Sequence, residues 1–228
     1  MLDLKFVGNW VLLESEIAPS FLNHALNCDR LKNNYPYYKD NFLNMTLSHC
    51  KNKRSAIDIG ASYGFVSNEL SFIFDKVVSF EIVPKIRTCL KLNLSNRSNV
   101  LVEDCGLSNV NGKCDVIFYN TYTGHSSCNT ATGNIQRQIP YEVIVAPVKT
   151  LDFFNFKEVD FIKIDVETVE PNVLLGAKNT ILYNSPVIML EMHKNNKKMQ
   201  GKVFEILHSC EYKRVLSYYD DHVFIKKE

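Results

Sequence analysis

The sequence lacks an excess of charge of either sign, because 26 lysine and arginine residues face 25 aspartate and glutamate residues over 228 positions. Proteins that bind nucleic acid usually present a basic patch or stripe, so the composition argues against a nucleic-acid partner. No apolar run approaches the roughly 20 residues that a membrane-spanning helix needs, and the N-terminus lacks the apolar core of a secretory signal. We therefore expect a soluble, cytoplasmic protein with no membrane span.

Closely paired cysteines are also absent. The cysteines are Cys28, Cys50, Cys89, Cys105, Cys114, Cys128 and Cys210. None of them forms the Cys-x-x-Cys pair that zinc sites use, and an odd number of scattered thiols does not fit a disulfide framework. Scattered thiols of this kind are typical of proteins in a reducing compartment.

What the sequence does contain, from Ser55 onward, is a regular alternation of short apolar runs with helical patterns. The apolar runs are Ala56–Ile59, Val77–Phe80, Val100–Val102, Phe161–Asp165 and Pro186–Glu191. A helix is expected from about 169 to 182 and another near 198–210. This alternation predicts a doubly wound, Rossmann-like α/β fold, with a mostly parallel sheet and helices on both faces.

Two regions depart from that alternation. Apolar runs at 116–119 and 143–148 flank a loop rich in Thr, Ser and Asn, and we expect them to form two strands beside the main sheet. The runs at 212–217 and 222–226 predict a C-terminal antiparallel hairpin. We expect a single domain over 1–228, in which 1–54 form an N-terminal cover segment and 55–228 the catalytic core.

The strongest motif is the run Asp58-Ile-Gly-Ala-Ser-Tyr-Gly64, which follows the first core strand and opens a helix. Gly60 permits a tight turn, and Glu81 stands 21 residues further on, where an acid could accept hydrogen bonds from both hydroxyls of a ribose. Dinucleotide enzymes need two further glycines beside the pyrophosphate, and this chain has Ser62 and Phe65 there. The pattern therefore favours S-adenosylmethionine, which has an adenosine but no phosphates, with S-adenosylhomocysteine as the product.

The predicted cofactor site extends beyond this turn. Asp58 is a candidate for the methionine ammonium, directly or through water, and Asp104 for the adenine amino group. The residues predicted to bind the cofactor are Asp58, Gly60, Ala61, Ser62, Tyr63, Gly64, Glu81, Ile82, Asp104 and Cys105.

Over roughly residues 55–193 the chain resembles the FkbM family of methyltransferases. The matching pieces are Ile57–Gly64, Phe80-Glu81, Gly106-Leu-Ser108, Gly124-x-Ser-Ser127, Val148-x-Thr-Leu-Asp152, Asp160–Glu167 with Glu170, Gly176-Ala177 and Pro186–Glu191. The resemblance implies an O-methyltransferase that acts on hydroxyls of sugars, glycans or related natural products. The family usually has Gly where this chain has Thr168, and Pro directly after the ribose acid, whereas here Pro84 comes three residues later.

The predicted reaction centre lies after the fourth and fifth parallel strands. Methyl transfer to a hydroxyl requires alignment of the acceptor and removal of its proton. The predicted catalytic residues are His193, Asp165, Glu167 and Glu191, with His193 as the preferred general base because imidazole titrates near neutrality. A carboxylate base is the main alternative, and a divalent cation held by Asp165, Glu191 and His193 is another.

The predicted acceptor contacts lie in the long loop between the two additional strands. His125, Ser126 and Ser127 supply small hydrogen-bonding groups suited to the hydroxyls of a sugar or glycan acceptor. Two other interpretations stay open. The chain could be a catalytically weak subunit that binds the cofactor or a partner, or it could methylate nucleic acid, against which the charge balance argues.

Overall fold

The computed structural model describes residues 3–17, 42–121, 123, 126 and 140–228. The strands are β1 (Leu4–Val7), β2 (Trp10–Leu13), β3 (Ser55–Ile59), β4 (Lys76–Phe80), β5 (Val100–Glu103), β6 (Gly106–Leu107), β7 (Gly112–Tyr119), β8 (Tyr141–Lys149), β9 (Val159–Ile164), β10 (Val187–Glu191), β11 (Tyr212–Tyr218) and β12 (Asp221–Lys226). The helices are α1 (Phe42–Leu47), α2 (Phe65–Leu70), α3 (Pro84–Asn93), α4 (Glu170–Gly176), α5 (Lys178–Asn184) and α6 (Lys197–Ser209), with a 3₁₀ helix at Leu151–Phe154.

The larger sheet within these residues has seven strands in the order β5-β4-β3-β9-β10-β12-β11. The pairs from β5 to β10 are all parallel, whereas β12 runs antiparallel to both β10 and β11. The predicted α/β fold and the C-terminal antiparallel hairpin are thereby confirmed. The strand order reverses between β3 and β9, and in doubly wound sheets ligands bind at the carboxyl ends of the strands on either side of that point.

Successive side chains of a strand point to opposite faces of the sheet, and in this sheet both faces are buried. Ala56 of β3 packs in an apolar cluster with residues of α1 and α2. The next residue, Ile57, packs in a second cluster with residues of α4, α5 and α6. This two-sided burial explains why the parallel strands are continuous apolar runs in the sequence.

The segment 169–182, which the sequence predicts as one helix, forms two helices that meet at Ala177. Asp152 stabilises the start of the second one: its Oδ1 accepts hydrogen bonds from the Thr180 backbone N and hydroxyl at 2.7 Å, and its Oδ2 accepts one from Asn179 N at 3.0 Å. A Cβ at Gly176 would lie 2.0 Å from the carbonyl oxygen of Ser108. Close packing therefore requires glycine there, and the side chain of Asp152 replaces the missing helical bonds.

Two smaller sheets lie beside the main one. β7 and β8 form an antiparallel pair, as predicted, and β6 joins the far end of β8. β1 and β2 form an N-terminal hairpin in which Trp10 packs 4.3 Å from the ring of Phe65 in α2. Asn93 of α3 holds this hairpin to the core, since it bonds both backbone groups of Val11 and the carbonyl of Tyr63. No helix in the described ranges is long and apolar enough to span a bilayer.

Candidate active site

The turn after β3 is built around a glycine that no other residue could replace. Gly60 has φ +79°, and a Cβ there would lie 1.8 Å from the carbonyl oxygen of Asp165. The amides of Gly60 and Ala61 both donate to Phe80 O, at 3.0 and 2.9 Å, and Asp165 N donates to Ile59 O at 3.0 Å. The ends of β3, β4 and β9 are therefore locked together at the carboxyl edge of the sheet.

Glu81 follows β4 directly and faces this turn. Its side chain is nearly buried, with Oε2 accepting from Ser62 N at 2.9 Å and Oε1 from Val83 N at 2.8 Å. Burial raises the pKa of Glu81, although these two backbone donors oppose the shift. The hydroxyl oxygen of Ser62 is also buried, and it has no hydrogen-bond partner among the described residues. Glu81, held by the backbone amides of Ser62 and Val83, is called the Glu81 cradle below. Each carboxylate oxygen keeps a further lone pair, so this cradle can accept hydrogen bonds from a diol.

The side chains of the other motif residues do not line this cradle. Tyr63 is fully buried, with its hydroxyl 3.3 Å from Glu16 Oε2, and Ala61 packs against Leu90. A Cβ at Gly64, where φ is +95°, would lie 2.6 Å from Leu90 Cδ1. The prediction that these residues contact a cofactor is therefore corrected for their side chains, which pack the turn against α3 and the N-terminal hairpin.

Asp58 is fully buried within the sheet, and its predicted contact with the methionine ammonium, directly or through water, stays a prediction. Its Oδ2 accepts a 2.6 Å hydrogen bond from Ser67, and its Oδ1 lies 3.7 Å from Lys163 Nζ. Lys163 also donates to Asp165 Oδ2 at 3.1 Å. Burial works against the charge on Lys163, but Asp165 and Asp58 outweigh it and raise the pKa. Lys163 thus connects the buried acid to the reaction edge.

Asp104 and its neighbours stand at the end of β5. The side chain of Asp104 is 66% exposed and forms ion pairs with Lys91 Nζ at 2.6 Å and Arg87 Nε at 3.2 Å. Cys105 is buried in the apolar core, so only its backbone faces the edge. Ile82 is partly buried and packs against Gly106, where a Cβ would lie 2.5 Å from it. Asp104 would therefore have to contact the adenine, as predicted, while its carboxylate is already paired with Lys91 and Arg87.

The predicted reaction centre is assembled as expected in space. Glu167 Oε2 lies 3.1 Å from His193 Nε2, and Asp220 Oδ2 lies 3.7 Å from His193 Nδ1. The hydrogen bond to Glu167 raises the pKa of His193 to about 9, although burial opposes the shift. Both ring nitrogens face a carboxylate, so the imidazole is protonated at neutral pH. His193 would have to lose that proton before it could act as the general base, because a base needs a free lone pair, and its preference over a carboxylate stays a prediction.

Asp165 and Glu191 form a hydrogen-bonded carboxyl pair beside that imidazolium. The negative charge of Asp165, followed by burial, raises the pKa of Glu191 to about 8. Burial acts to raise the pKa of Asp165 too, but the Lys163 ammonium and the hydrogen bond with Glu191 lower it below its usual value. Two carboxyl groups in contact cannot both ionise easily, and such a pair can accept a proton near neutral pH.

Three groups in the described part of the chain could hold a cation together. Ligand atoms of Glu167, Glu191 and His193 all lie within 4.8 Å of one another. Asp165, which was predicted as a ligand with Glu191 and His193, is not part of this group and pairs with Lys163 instead. The proximity of the ligand atoms therefore favours Glu167 over the predicted Asp165 as the third candidate ligand beside Glu191 and His193.

The loop after β9 holds two consecutive residues in the left-handed region. Glu167 has φ +53° and Thr168 has φ +81°. Thr168 is the position at which the FkbM pattern has glycine, and a β-branched residue rarely adopts this conformation. Glu170 Oε1 accepts from Thr168 N at 3.1 Å and from Val166 N at 3.4 Å. Burial raises the pKa of Glu170 to about 7.

Of the predicted acceptor residues, His125 and Ser127 lie outside the described residues. Ser126 is described: its hydroxyl accepts from Tyr119 N at 3.3 Å, and its amide donates to Thr123 O at 3.1 Å. These bonds close the end of β7. From the sequence, Lys163 is a strand residue that could order the acidic ends of the strands, and a lysine inside a buried strand is the signal for that role. No local pattern indicated Asp220, which reaches His193 from the hairpin turn.

Comparison with known proteins gives the following similarities. A family model described as "Methyltransferase FkbM domain" matches residues 58–214. The methyltransferase FkbM of Methylobacillus flagellatus KT superposes with a TM-score of 0.57 and 16% identity, covering 93% of this chain and 56% of that one. A ribosomal protein methylase of Lactobacillus delbrueckii subsp. bulgaricus gives 0.51 and 7%, covering 82% and 76%. No curated protein sequence matches significantly. The chain thus spans little more than half of the first structure.

Proposed function

The chain belongs to the FkbM methyltransferase family, and on that premise we propose that it transfers a methyl group from S-adenosylmethionine to a hydroxyl of a sugar or glycan. The observation that carries the proposal is the juxtaposition of the Glu81 cradle with the Asp165–Glu191 carboxyl pair at one edge of the sheet. The first is suited to a ribose diol and the second to the proton of an acceptor hydroxyl.

The residues at the first turn fit the adenosine part of this cofactor. A Cβ at Gly60 would collide with the carbonyl oxygen of Asp165, so glycine lets the ends of β3 and β9 pack closely and fixes the tight turn that faces Glu81. The buried, unpaired hydroxyl of Ser62 and the spare lone pairs of Glu81 supply polar partners there. The cofactor would supply the methyl group and a sulfonium leaving group.

Residues at the ends of β9 and β10 supply the group that accepts the proton of the acceptor hydroxyl. In an in-line displacement the acceptor oxygen forms a bond to the methyl carbon, the carbon–sulfur bond breaks, and the hydroxyl proton must leave. The Asp165–Glu191 pair accepts that proton once Glu191 is ionised. The His193 imidazolium, held by Glu167 and by Asp220, stabilises negative charge that develops on the acceptor.

A metal-assisted reaction at the same site is the second candidate, favoured by the spacing of Glu167, Glu191 and His193. A divalent cation there would polarise the acceptor hydroxyl in place of the imidazolium. A subunit that binds the cofactor without turnover is the remaining alternative, and the left-handed Thr168 is the feature that favours it.

The test begins with calorimetric titration of S-adenosylhomocysteine into the wild-type protein, Glu81→Gln and Glu103→Gln. Glu103 is the matched control, because it ends the neighbouring strand β5. We expect Glu81→Gln to weaken binding at least about tenfold, since each good ribose hydrogen bond contributes about 1.5 kcal/mol or more. Wild-type protein that does not bind the nucleoside would contradict the proposal.

Turnover is then measured as a methyl mass increment on simple glycosides, with and without a chelator. We expect Glu191→Gln to reduce kcat about 10² to 10⁴-fold while leaving the affinity for the nucleoside unchanged. Loss of activity with the chelator, and its return with magnesium, would favour the metal-assisted reaction. Binding without any transfer would favour the non-catalytic subunit.

A further inference from the structure

The turn between β11 and β12 carries two adjacent tyrosines that no feature of the fold requires. Tyr218 pairs with Asp221 at the end of the ladder, so Tyr219 and Asp220 form the two-residue loop. Tyr219 is 81% exposed, more than any other large apolar side chain in the described ranges, and its φ is +53°. Such loops favour glycine, asparagine or aspartate at left-handed positions. Neither turn chemistry nor burial therefore accounts for an aromatic residue there.

This turn is fastened to the candidate active site. Asp221 lies opposite Glu191 in the register of β12 with β10. The carbonyl of Asp220 accepts from Met192 N at 2.6 Å, and its carboxylate accepts from Lys194 N at 3.2 Å and approaches His193 Nδ1 at 3.7 Å. Because consecutive Cα atoms are about 3.8 Å apart, the backbone of Tyr219 lies within roughly 10 Å of the imidazole.

The two rings are held in a defined arrangement. The Tyr218 and Tyr219 rings meet edge to face, with centroids 4.7 Å apart and planes at 88°. Tyr218 also packs 5.8 Å from the ring of Phe42, which is buried at the start of α1. Tyr218 is thus anchored on the core and supports Tyr219, whose ring stays open to solvent on the turn that carries Asp220 to His193.

We propose that the ring of Tyr219, supported edge to face by Tyr218, is the platform on which the sugar ring of the acceptor stacks, an inference that rests on the proposed function. The face of a pyranose that carries its C–H groups is apolar and packs on the electron-rich face of an aromatic ring. The hydroxyls at the rim of that sugar stay free to reach the Asp165–Glu191 pair. A rigid tyrosine presents such a surface at little cost in conformational entropy.

The platform is tested with Tyr219→Ala and Tyr219→Phe, and with Tyr183→Ala as the matched control. Tyr183 is similarly exposed, at 67%, but it lies in α5 beneath the Lys157 ammonium, away from the carboxyl edge. For a methyl pyranoside that the wild-type protein methylates, we expect Tyr219→Ala to raise KM at least tenfold. Tyr219→Phe should stay within about twofold, because the ring and not the hydroxyl does the binding.

Two readouts separate this inference from the proposed function. Affinity for S-adenosylhomocysteine and the Tm should be the same in all three variants, and saturation-transfer NMR with methyl β-glucopyranoside measures sugar binding without turnover. Equal KM values for Tyr219→Ala and Tyr183→Ala would overturn the platform while leaving the function intact. Sugar binding that depends on Tyr219 without methyl transfer would support the platform and contradict the function. A wild-type protein that binds no pyranoside would overturn both.

Discussion

The turns after β3 and β9 lie at the same edge of the sheet but place different residue types at their left-handed positions. The first uses Gly60 and Gly64 at its most demanding positions, with φ +79° and +95°. The second puts Glu167 and Thr168 at φ +53° and +81°, where L-residues cost about 1 to 2 kcal/mol each. The first turn needs close backbone approach, whereas the second must carry a carboxylate to His193. Ser62 in the first turn is also left-handed, at φ +50°, so the two turns differ in the residue that holds the largest positive φ, which is Gly64 in the first and Thr168 in the second.

The largest effect is expected where the first turn is disrupted. Gly60→Ala puts a Cβ 1.8 Å from Asp165 O, so we expect a loss of at least about 4 kcal/mol or failure to fold. Gly201→Ala is the control, because nothing lies within 4 Å of that position in α6, and we expect it to gain about 1 kcal/mol. Urea denaturation measures both. A folded Gly60→Ala of normal stability would show that the two turns are not interlocked.

The ion pairs that connect the two turns come next. Lys163→Met leaves the buried Asp58 carboxylate without its cation, which costs about 3 to 5 kcal/mol. The double variant with Asp58→Asn should recover a large part of that loss, because the uncompensated charge is removed. Denaturation midpoints of the two single variants and the double variant give the coupling. Additive losses would contradict a direct interaction between these residues.

The helices that follow the two turns each bury an acid, which predicts how stability depends on pH. Burial raises the pKa of both Glu69 in α2 and Glu170 in α4 to about 7. The folded protein retains these protons when the unfolded chain, with pKa near 4.5, has lost them. Stability is therefore greatest below about pH 4.5 as far as these groups are concerned, and falls as pH rises toward 7.

Replacing either of these acids should make the free energy of unfolding depend less on pH. We expect Glu69→Gln and Glu170→Gln each to raise the free energy of unfolding at pH 8 by on the order of 2 kcal/mol, and to change it little at pH 4.5. Thermal unfolding across this range is the measurement, with the exposed Glu211 changed to Gln as control. A variant that gains equally at both pH values would refute burial as the cause.

The smallest expected effect comes from relieving the second turn. Thr168→Gly permits φ +81° without a Cβ, so we expect the protein to gain about 1 kcal/mol. Thr88→Gly in α3, at an ordinary helical position, should lose about 1 kcal/mol instead. Comparison of the two variants by chemical denaturation isolates the strain. A loss in both would mean that the Thr168 side chain stabilises the loop more than its conformation costs.

Most of the fold could be predicted from the sequence, because its signals are local. Continuous apolar runs identify strands that are buried on both faces, and the spacing of Gly60 and Glu81 identifies the first turn with the acid beside it. The break of the helical pattern at Ala177 was missed. Its cause is the approach of Gly176 to Ser108, which is 68 residues away along the chain.

The sequence by itself therefore determined the fold class, the positions of the parallel strands and the placement of Asp165, Glu167, Glu191 and His193 at the carboxyl edge. Only the tertiary structure decided their protonation and their roles. His193 is a cation because Glu167 and Asp220 reach it from opposite directions, each 26 or more residues away in the chain. Asp58 faces Lys163 because β3 and β9 are neighbours. Propensity and periodicity act over a few residues, whereas the charge of a buried group depends on every group packed around it.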